Sequence, residues 1–232
     1  MRLICSGVRR RTGTFLLSAD AVFIPGIHLI TGRVGSGKSS LSRVLAGLEH
    51  PDAGAVRAEG ICRTMLSMQF PEYHVTAPTV AGEIRSWGLS PDVILPETAL
   101  SGRERDHPLR LSRGELKRLH LACVLSKPYD LLILDEPFSA LDCRMKARLC
   151  RRLETAENGI TIILTHEPLW LPKTDMLWEM DGGTLRCLGP IPEALLSWED
   201  APAPIRSVIE RGHLPANIRP ADIREARCRI RG

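Results

Sequence analysis

The sequence predicts an α/β fold with a mainly parallel sheet that is covered by helices. Short apolar runs rich in β-branched residues lie at 27–31, 131–134 and 160–164, as expected of buried strands. Segments with the apolar spacing of helices lie at 41–48, 116–125 and 144–157. Because strands alternate with helices along the chain, a parallel sheet is favoured. The first third reads as strands and turns and is expected to add an antiparallel part.

Three regions are expected within this fold. The main domain is predicted at residues 1–197, and it includes a small helical subdomain at about 71–125. A short basic extension is predicted at 198–232, because seven arginines and three acids lie between Ala201 and the last residue. Two interpretations of this extension stay open. It is either a solvated, partly mobile terminus or a surface that contacts acidic lipid or a partner subunit.

The composition limits the classes of function. Hydrophobic residues make up 44% and charged residues 25% of the 232 residues, which is typical of a globular protein with a core. The net charge of +4 is only mildly basic, so no nucleic-acid partner is expected. Residues 1–7 lack the apolar stretch of a signal peptide, and no run approaches the ~20 apolar residues that cross a bilayer. If the protein serves a membrane, we expect another chain to span it.

Residues 32–39 read GRVGSGKS and match the phosphate-binding pattern G-x-x-x-x-G-K-[ST]. Glycines allow the loop to turn its backbone N–H groups inward, and the following helix presents its positive end to the same phosphates. Lys38 would reach the β- and γ-phosphates of ATP, and the Ser39 hydroxyl would bind Mg²⁺. The predicted nucleotide-binding residues are Gly32, Arg33, Val34, Gly35, Ser36, Gly37, Lys38, Ser39 and Ser40.

Two acids end the apolar run at 131–134. Asp135 would support Mg²⁺ at the carboxyl end of a strand, where ligands gather in such sheets. Glu136 is placed to act as general base toward an attacking water. A phosphate-binding loop (P-loop) alone would also fit small-molecule kinases and GTPases, and the two acids after the strand narrow these possibilities.

Four further segments resemble the ABC (ATP-binding cassette) ATPases, and the resemblance covers nearly all of residues 1–197. Residues 111–115 (LSRGE) resemble the signature loop, residues 139–142 (SALD) the D-loop, His166 the switch histidine and Gln69 the Q-loop glutamine. The resemblance implies a P-loop ATPase that pairs head to tail with a second, identical or related, ATPase subunit. It also implies that Gln69 and His166 sense the γ-phosphate and that Gln69 contacts Mg²⁺. Ser112, Gly114 and Asp142 are implied to contact nucleotide in the dimer.

The segment after Gln69, QFPEYHVTAPTVAGEI, is similar to the corresponding part of energy-coupling factor ATPases, which import cobalt, nickel and vitamins. That similarity implies a peripheral subunit on the cytoplasmic face of the cell membrane, bound to transmembrane subunits and driving uptake of a metal ion or vitamin. Two alternatives stay open. One is a soluble, non-transport ABC ATPase of the cofactor-assembly type, and the other is a nucleotide-gated regulatory module.

Two departures from the family pattern stand out. Arg113 takes a position in the signature loop where glycine is usual. Arg9, Arg10 and Arg11 occupy the region where an aromatic side chain would stack on adenine, and Phe15 is the nearest aromatic candidate. Adenine is therefore expected to rest on arginine stacking or apolar contacts.

Overall fold

A single mixed sheet forms the centre of the computed structural model, which describes residues 1–155, 159–167 and 169–229. Nine strands make up the sheet within these residues. They are β1 (Arg2–Thr12), β2 (Phe15–Phe23), β3 (Gly26–Thr31), β4 (Ala53–Glu59), β5 (Thr64–Ser67), β6 (Leu131–Asp135), β7 (Ile160–Thr165), β8 (Met176–Asp181) and β9 (Thr184–Pro190).

Seven α-helices connect or cover these strands in the same described ranges. They are α1 (Lys38–Leu45), α2 (Val80–Ser86), α3 (Pro91–Thr98), α4 (Arg113–Val124), α5 (Cys143–Glu154), α6 (Ala203–Ile209) and α7 (Pro220–Arg229). Short 3-10 turns lie at Pro71–His74, Pro108–Arg110 and Glu193–Leu196. The helix predicted at 144–157 ends at Glu154, and residues 156–158 lie outside the described part of the chain. None of the described helices is both long enough and apolar enough to cross a bilayer.

The strand order is β4-β1-β2-β9-β8-β3-β7-β6-β5. Strands β5, β6, β7, β3 and β8 run parallel to one another in that order of neighbours. Antiparallel pairs join β1 to β2, β1 to β4 and β8 to β9. The predicted α/β fold, with a parallel sheet and an antiparallel N-terminal part, is therefore confirmed.

The central strands are buried on both faces, which explains why their sequences are continuously apolar. In β6, Leu131 and Ile133 pack into the core beside α1, whereas Leu132 and Leu134 pack into a second core with α5. Because side chains alternate along a strand, helices on both sides of the sheet are needed to cover them. Burial of each such side chain stabilises the fold by ~1.5–3 kcal/mol.

The region at 71–125 contains α2, α3 and α4 and has an apolar cluster of its own. That cluster is formed by Val80, Ile84, Ile94, Leu95, Leu100, Leu111, Leu116, Leu119, Ala122 and Cys123. Helix α4 also sends Leu121 and Val124 into the core under the sheet. Helix α4 therefore packs in both cores and connects the helical region to the central sheet.

Residues 198–229 pack against the sheet rather than projecting into solvent. Trp198, Ala201, Ile205 and Ile218 are buried in the same core as β6 and α5. The expectation of a solvated, mobile terminus is wrong for residues 198–229, because these apolar side chains dock the two short helices. The last arginine of the basic run, Arg231, lies outside the described residues.

Candidate functional site

The loop between β3 and α1 has a backbone that only glycine tolerates at key positions. Gly32 and Gly37 have φ values of +149° and +104°. A Cβ on Gly32 would lie 2.2 Å from the carbonyl oxygen of Met180, and one on Gly37 would lie 2.6 Å from the Phe15 ring. The loop therefore curls tightly at the N-terminus of α1, as a phosphate-binding loop requires.

Lys38 lies at the start of α1 and is 6% exposed. Its Nζ donates to the carbonyl oxygens of Gly32 at 2.7 Å and Arg33 at 2.9 Å. Burial lowers the pKa of Lys38, and the charges of Glu136 and Asp135 oppose that shift. The loop thus holds a partly desolvated ammonium group, which interacts more strongly with phosphate than a fully hydrated one would.

Asp135 ends β6 and is 3% exposed. Burial raises the pKa of Asp135, while the neighbouring Ser39 hydroxyl opposes the shift. The Oδ1 atom is buried and accepts no hydrogen bond from the described residues. An unpaired carboxylate oxygen beside a serine hydroxyl is the donor set that Mg²⁺ prefers, so these two residues fit the predicted metal.

Glu136 is held in a left-handed backbone conformation, with φ of +50°. Its carboxylate accepts hydrogen bonds from Thr165 Oγ1 at 2.9 Å and from the His166 N–H at 3.0 Å. The His166 Nδ1 atom lies 2.6 Å from Glu136 Oε1. Such a backbone costs ~1–3 kcal/mol and persists only where the surroundings fix it. The predicted base and the predicted switch histidine are therefore directly paired.

Lys38, Glu136 and His166 line one open cleft of about 400 Å³, whereas the buried Asp135 does not line it. Gln69, which follows β5, lies on the cleft wall together with the P-loop, Glu136 and His166. The cleft is lined by Thr12, Phe15, Val34, Gly35, Gly37, Lys38, Ser39, Ser40, Gln69, Glu136 and His166. Of the predicted P-loop residues, Gly32, Arg33 and Ser36 do not line it. The Arg33 side chain is exposed and lies 3.7 Å from Asp200.

The predicted signature and D-loop residues do not line the cleft of their own chain. Ser112 caps α4 and forms a reciprocal capping box with Glu115. Asp142 caps α5 by accepting from the Met145 N–H at 2.8 Å. A Cβ on Gly114 would lie 2.9 Å from the Ala140 carbonyl oxygen, so the two loops pack side by side.

Of the two expectations for adenine, arginine stacking and apolar contacts, the residues that line the cleft fit only the second. Arg10 pairs with Glu49 and donates to the His50 carbonyl, so its guanidinium faces away from the cleft. None of the three arginines lines the cleft. Thr12 and Phe15, paired across the β1–β2 hairpin, do line it. Phe15 is therefore the aromatic side chain available to a base, and arginine stacking is not supported.

Two further residues near the site had no motif to mark them. Thr165 is fully buried, and its hydroxyl donates to the Glu136 carboxylate. Its position directly before His166 was the one feature of the sequence that could have indicated this role. Lys117 is 1% exposed, and its Nζ donates to the Gln69 carbonyl at 3.1 Å. A lysine near the start of a predicted amphipathic helix ordinarily faces solvent, so no feature of the sequence marks this contact.

Comparisons with known proteins agree with this arrangement. A family model described as ABC transporter matches residues 25–139. The aliphatic sulfonates import ATP-binding protein of Rhodococcus jostii is 36% identical over 71% of this chain and 72% of its own length. A sulfate/thiosulfate import ATP-binding protein of Chromobacterium violaceum is 33% identical over 60% of this chain, which spans only 43% of that relative.

Solved structures show the same fold. An ATP-binding subunit of an ABC transporter superposes over the whole of both chains, with a TM-score of 0.69 and 18% identity. A dimeric ATP-binding cassette in a post-hydrolysis state with ADP and phosphate has a TM-score of 0.64 and 17% identity, over 79% of this chain and 96% of that one. With its family match, its relatives and its fold, the chain belongs to the ABC transporter family and carries the ATP-hydrolysing domain of that family.

Proposed function

We propose that the chain is the ATP-hydrolysing subunit of a membrane importer and works as a head-to-tail dimer at the cytoplasmic face of the membrane. The observation that carries the proposal is the convergence of the P-loop, Glu136, Gln69 and His166 on one cleft. A phosphate-binding loop alone would fit many nucleotide-binding proteins. A carboxylate and a histidine placed opposite that loop are the groups that hydrolysis needs.

Each residue then has a role in the cleft. The loop amides and the N-terminus of α1 bind the phosphates, and Lys38 supplies the counter-charge. Glu136 accepts the proton of the attacking water, and its contact with His166 keeps the carboxylate oriented. Ser39, Asp135 and Gln69 would hold Mg²⁺, which would neutralise charge on the phosphate oxygens.

The proposed dimer is supported by the position of three predicted nucleotide contacts that do not line the cleft of their own chain. Ser112, Gly114 and Asp142 lie outside it, although the resemblance assigns them to nucleotide. In a head-to-tail pair, the N-terminus of α4 in one subunit would face the phosphates bound in the other. Closure of the pair would then depend on the γ-phosphate, and hydrolysis would release it.

A membrane partner is supported by an exposed aromatic pair next to the Q-loop. Phe70 is 40% exposed and Tyr73 is 70% exposed, and their rings meet edge to face at 6.0 Å. Exposed aromatic side chains of this kind are typical of interaction surfaces. Because they follow Gln69 directly, a helix of a transmembrane subunit bound there would be coupled to the nucleotide site.

Two solute classes are supported by different observations. The relatives in Rhodococcus jostii and Chromobacterium violaceum are named for import of aliphatic sulfonates and of sulfate or thiosulfate, which favours a sulfur oxyanion. The segment after Gln69 instead favours a metal ion or vitamin through its similarity to energy-coupling factor ATPases. We place the sulfur oxyanion first, since the similarity to those relatives extends over most of the chain rather than one segment.

Affinity purification of the tagged chain from native membranes in mild detergent tests the proposal. The expected result is an assembly with membrane-spanning subunits that hydrolyses ATP, and a Tyr73→Asp variant that loses those subunits. Leu196→Asp is the control, since Leu196 is 65% exposed and ends the 3-10 turn Glu193–Leu196. This variant should retain the membrane-spanning subunits. An active chain recovered alone would favour the soluble, non-transport ATPase. A chain without turnover in any fraction would favour the regulatory module.

A further inference from the structure

Two buried polar side chains and one half-buried histidine surround the residues that lead into Gln69, and the proposed catalytic roles do not use them. Lys117 and His120 lie three residues apart on α4 and are 1% and 5% exposed. That spacing places both on one face of the helix. His74, at the end of the 3-10 turn after the Q-loop, completes the group. We refer to Lys117, His120 and His74 as the Q-loop clamp.

Each member of the clamp holds a different residue. Lys117 Nζ donates to the Gln69 carbonyl at 3.1 Å. His120 Nε2 lies 3.0 Å from Ser67 Oγ, and His74 Nε2 accepts from the Met68 N–H at 3.1 Å. The two histidine rings stack with their centroids 4.2 Å apart. Three consecutive residues, 67 to 69, are therefore held by side chains of α4 and of the 3-10 turn.

Packing alone does not explain a lysine at this position. The neighbouring buried positions Leu116 and Leu119 on α4 are filled by leucine, as an apolar cluster requires. Burial lowers the pKa of Lys117 to about 8, although the charges of Asp135 and Glu136 favour its ammonium form. An apolar side chain of similar length would avoid this desolvation. The contact with the Gln69 carbonyl is what the buried lysine provides and an apolar side chain could not.

The contact between Lys117 and Gln69 connects the cleft to the helix that begins at the predicted signature loop. Gln69 presents its side chain to the cleft, while its carbonyl is held by α4. The same helix begins at the Ser112 cap, in the loop expected to face the nucleotide of the partner subunit. A shift of α4 would therefore displace Gln69, and the reverse also holds.

We propose that Lys117 is a positioning residue that sets the Gln69 side chain in the cleft by holding the Gln69 carbonyl, with His120 and His74 fixing the two preceding residues. The role of Gln69 in turnover rests on the proposed ATPase function. The clamp itself is a property of the chain without nucleotide. Its existence and its effect on turnover can therefore be measured separately.

Hydrogen–deuterium exchange of the nucleotide-free chain tests the clamp. Lys117→Met keeps the length of the side chain and removes the donor, so a peptide covering residues 65–70 should exchange faster. Lys117→Gln restores a donor and should exchange more slowly than the methionine variant. Lys127→Met removes a lysine just after the same helix and should leave this peptide unchanged. Unchanged exchange in Lys117→Met would overturn the clamp.

A double-mutant cycle tests the effect on turnover. Lys117→Met should lower kcat by about 10-fold or more because the Gln69 side chain is misplaced, and Lys117→Gln should recover most of the loss. In a Gln69→Ala background, Lys117→Met should add little, since the side chain it positions is gone. If Lys117→Met lowers kcat by the same factor in the Gln69→Ala background as in wild type, the positioning role is overturned. If the wild-type chain does not hydrolyse ATP, the proposed function fails, and exchange alone decides the clamp.

Discussion

At the scale of single residues, the candidate site contains a buried carboxylate oxygen without a hydrogen bond, which a ligand could supply. Asp135 is buried with an unpaired oxygen, and burial raises its pKa. A buried oxygen that accepts no hydrogen bond costs about 1–3 kcal/mol. Binding sites commonly accept such a cost, because the ligand supplies the missing partner. The nucleotide-free chain should therefore gain stability when this charge is removed.

Asp135→Asn should raise the Tm of the nucleotide-free chain at pH 7.5 by about 2–4 °C, the shift that ~1 kcal/mol produces in a chain of this size. The sign follows from the raised pKa of Asp135. The stability that protonation of Asp135 contributes to the folded chain is complete below the unfolded pKa of ~3.9, and it is lost as the pH rises through the folded pKa. The advantage of the variant should therefore shrink as the pH falls, and Mg²⁺ with ATP should stabilise it less than wild type.

Asp130 provides a control of opposite sign just before the same strand. Its carboxylate accepts from the Cys62 and Arg63 N–H groups at 2.8 Å each, and these hydrogen bonds lower the pKa of Asp130. Asp130→Asn should therefore lower the Tm at neutral pH. Thermal scans from pH 5 to 8 measure both variants, and a destabilised Asp135→Asn at neutral pH would contradict the desolvation argument.

At the scale of elements, one buried amide adds to the apolar contacts that dock the end of the described chain on the sheet. The Asn217 side chain accepts from the Thr174 N–H and donates to the Thr174 carbonyl, both at 2.9 Å. Thr174 lies just before β8, and both residues are buried. The short helices α6 and α7 are thereby fixed to the linker that enters the core strands.

Asn217→Ala should destabilise the chain by about 1–3 kcal/mol, because it leaves two buried backbone groups of Thr174 unpaired. Affinity for ATP should stay unchanged, since Asn217 does not line the cleft. Urea unfolding and nucleotide titration measure the two quantities. Arg224→Ala, at an exposed position of α7, is the control and should unfold like wild type. Equal stability of both variants would mean that the docking contact is unimportant.

The same elements show where prediction from sequence succeeded and where it failed. The strands β3, β6 and β7 and the helix α4 were predictable, because each carries a continuous periodic signal. The C-terminal helices were not predictable, since α6 has only seven residues and the buried apolar residues of the C-terminal segment, such as Trp198 and Ile218, are scattered along the sequence. The arginine content of this segment indicated a solvated terminus, whereas a few buried side chains decide where it packs.

At the scale of the whole molecule, the site residues were predictable where a motif lies at the end of an element. The P-loop and Glu136 follow strands of the parallel sheet, so their convergence follows from the topology. Phe15 and Thr12 reach the cleft only because the β1–β2 hairpin folds over it, which requires long-range packing. Lys117 contacts a residue 48 positions away, for which the sequence has no local signal.

On the proposed head-to-tail dimer, one subunit alone would have an incomplete site. Its cleft contains the phosphate-binding loop and the predicted base, while Ser112, Gly114 and Asp142 lie elsewhere on the same chain. We therefore expect the functional unit to be a pair of subunits closed over ATP. Since hydrolysis would open the pair, a variant that binds ATP without hydrolysing it should remain closed.

Glu136→Gln tests this expectation most directly, by size-exclusion chromatography with light scattering and a phosphate-release assay. The amide keeps the shape and the contact with the Thr165 hydroxyl but cannot accept the proton. The account predicts turnover reduced by ~10²–10⁴-fold, a stable dimer with ATP and Mg²⁺, and a monomer without nucleotide. Wild-type turnover in the variant, or a variant that stays monomeric with bound ATP, would contradict it.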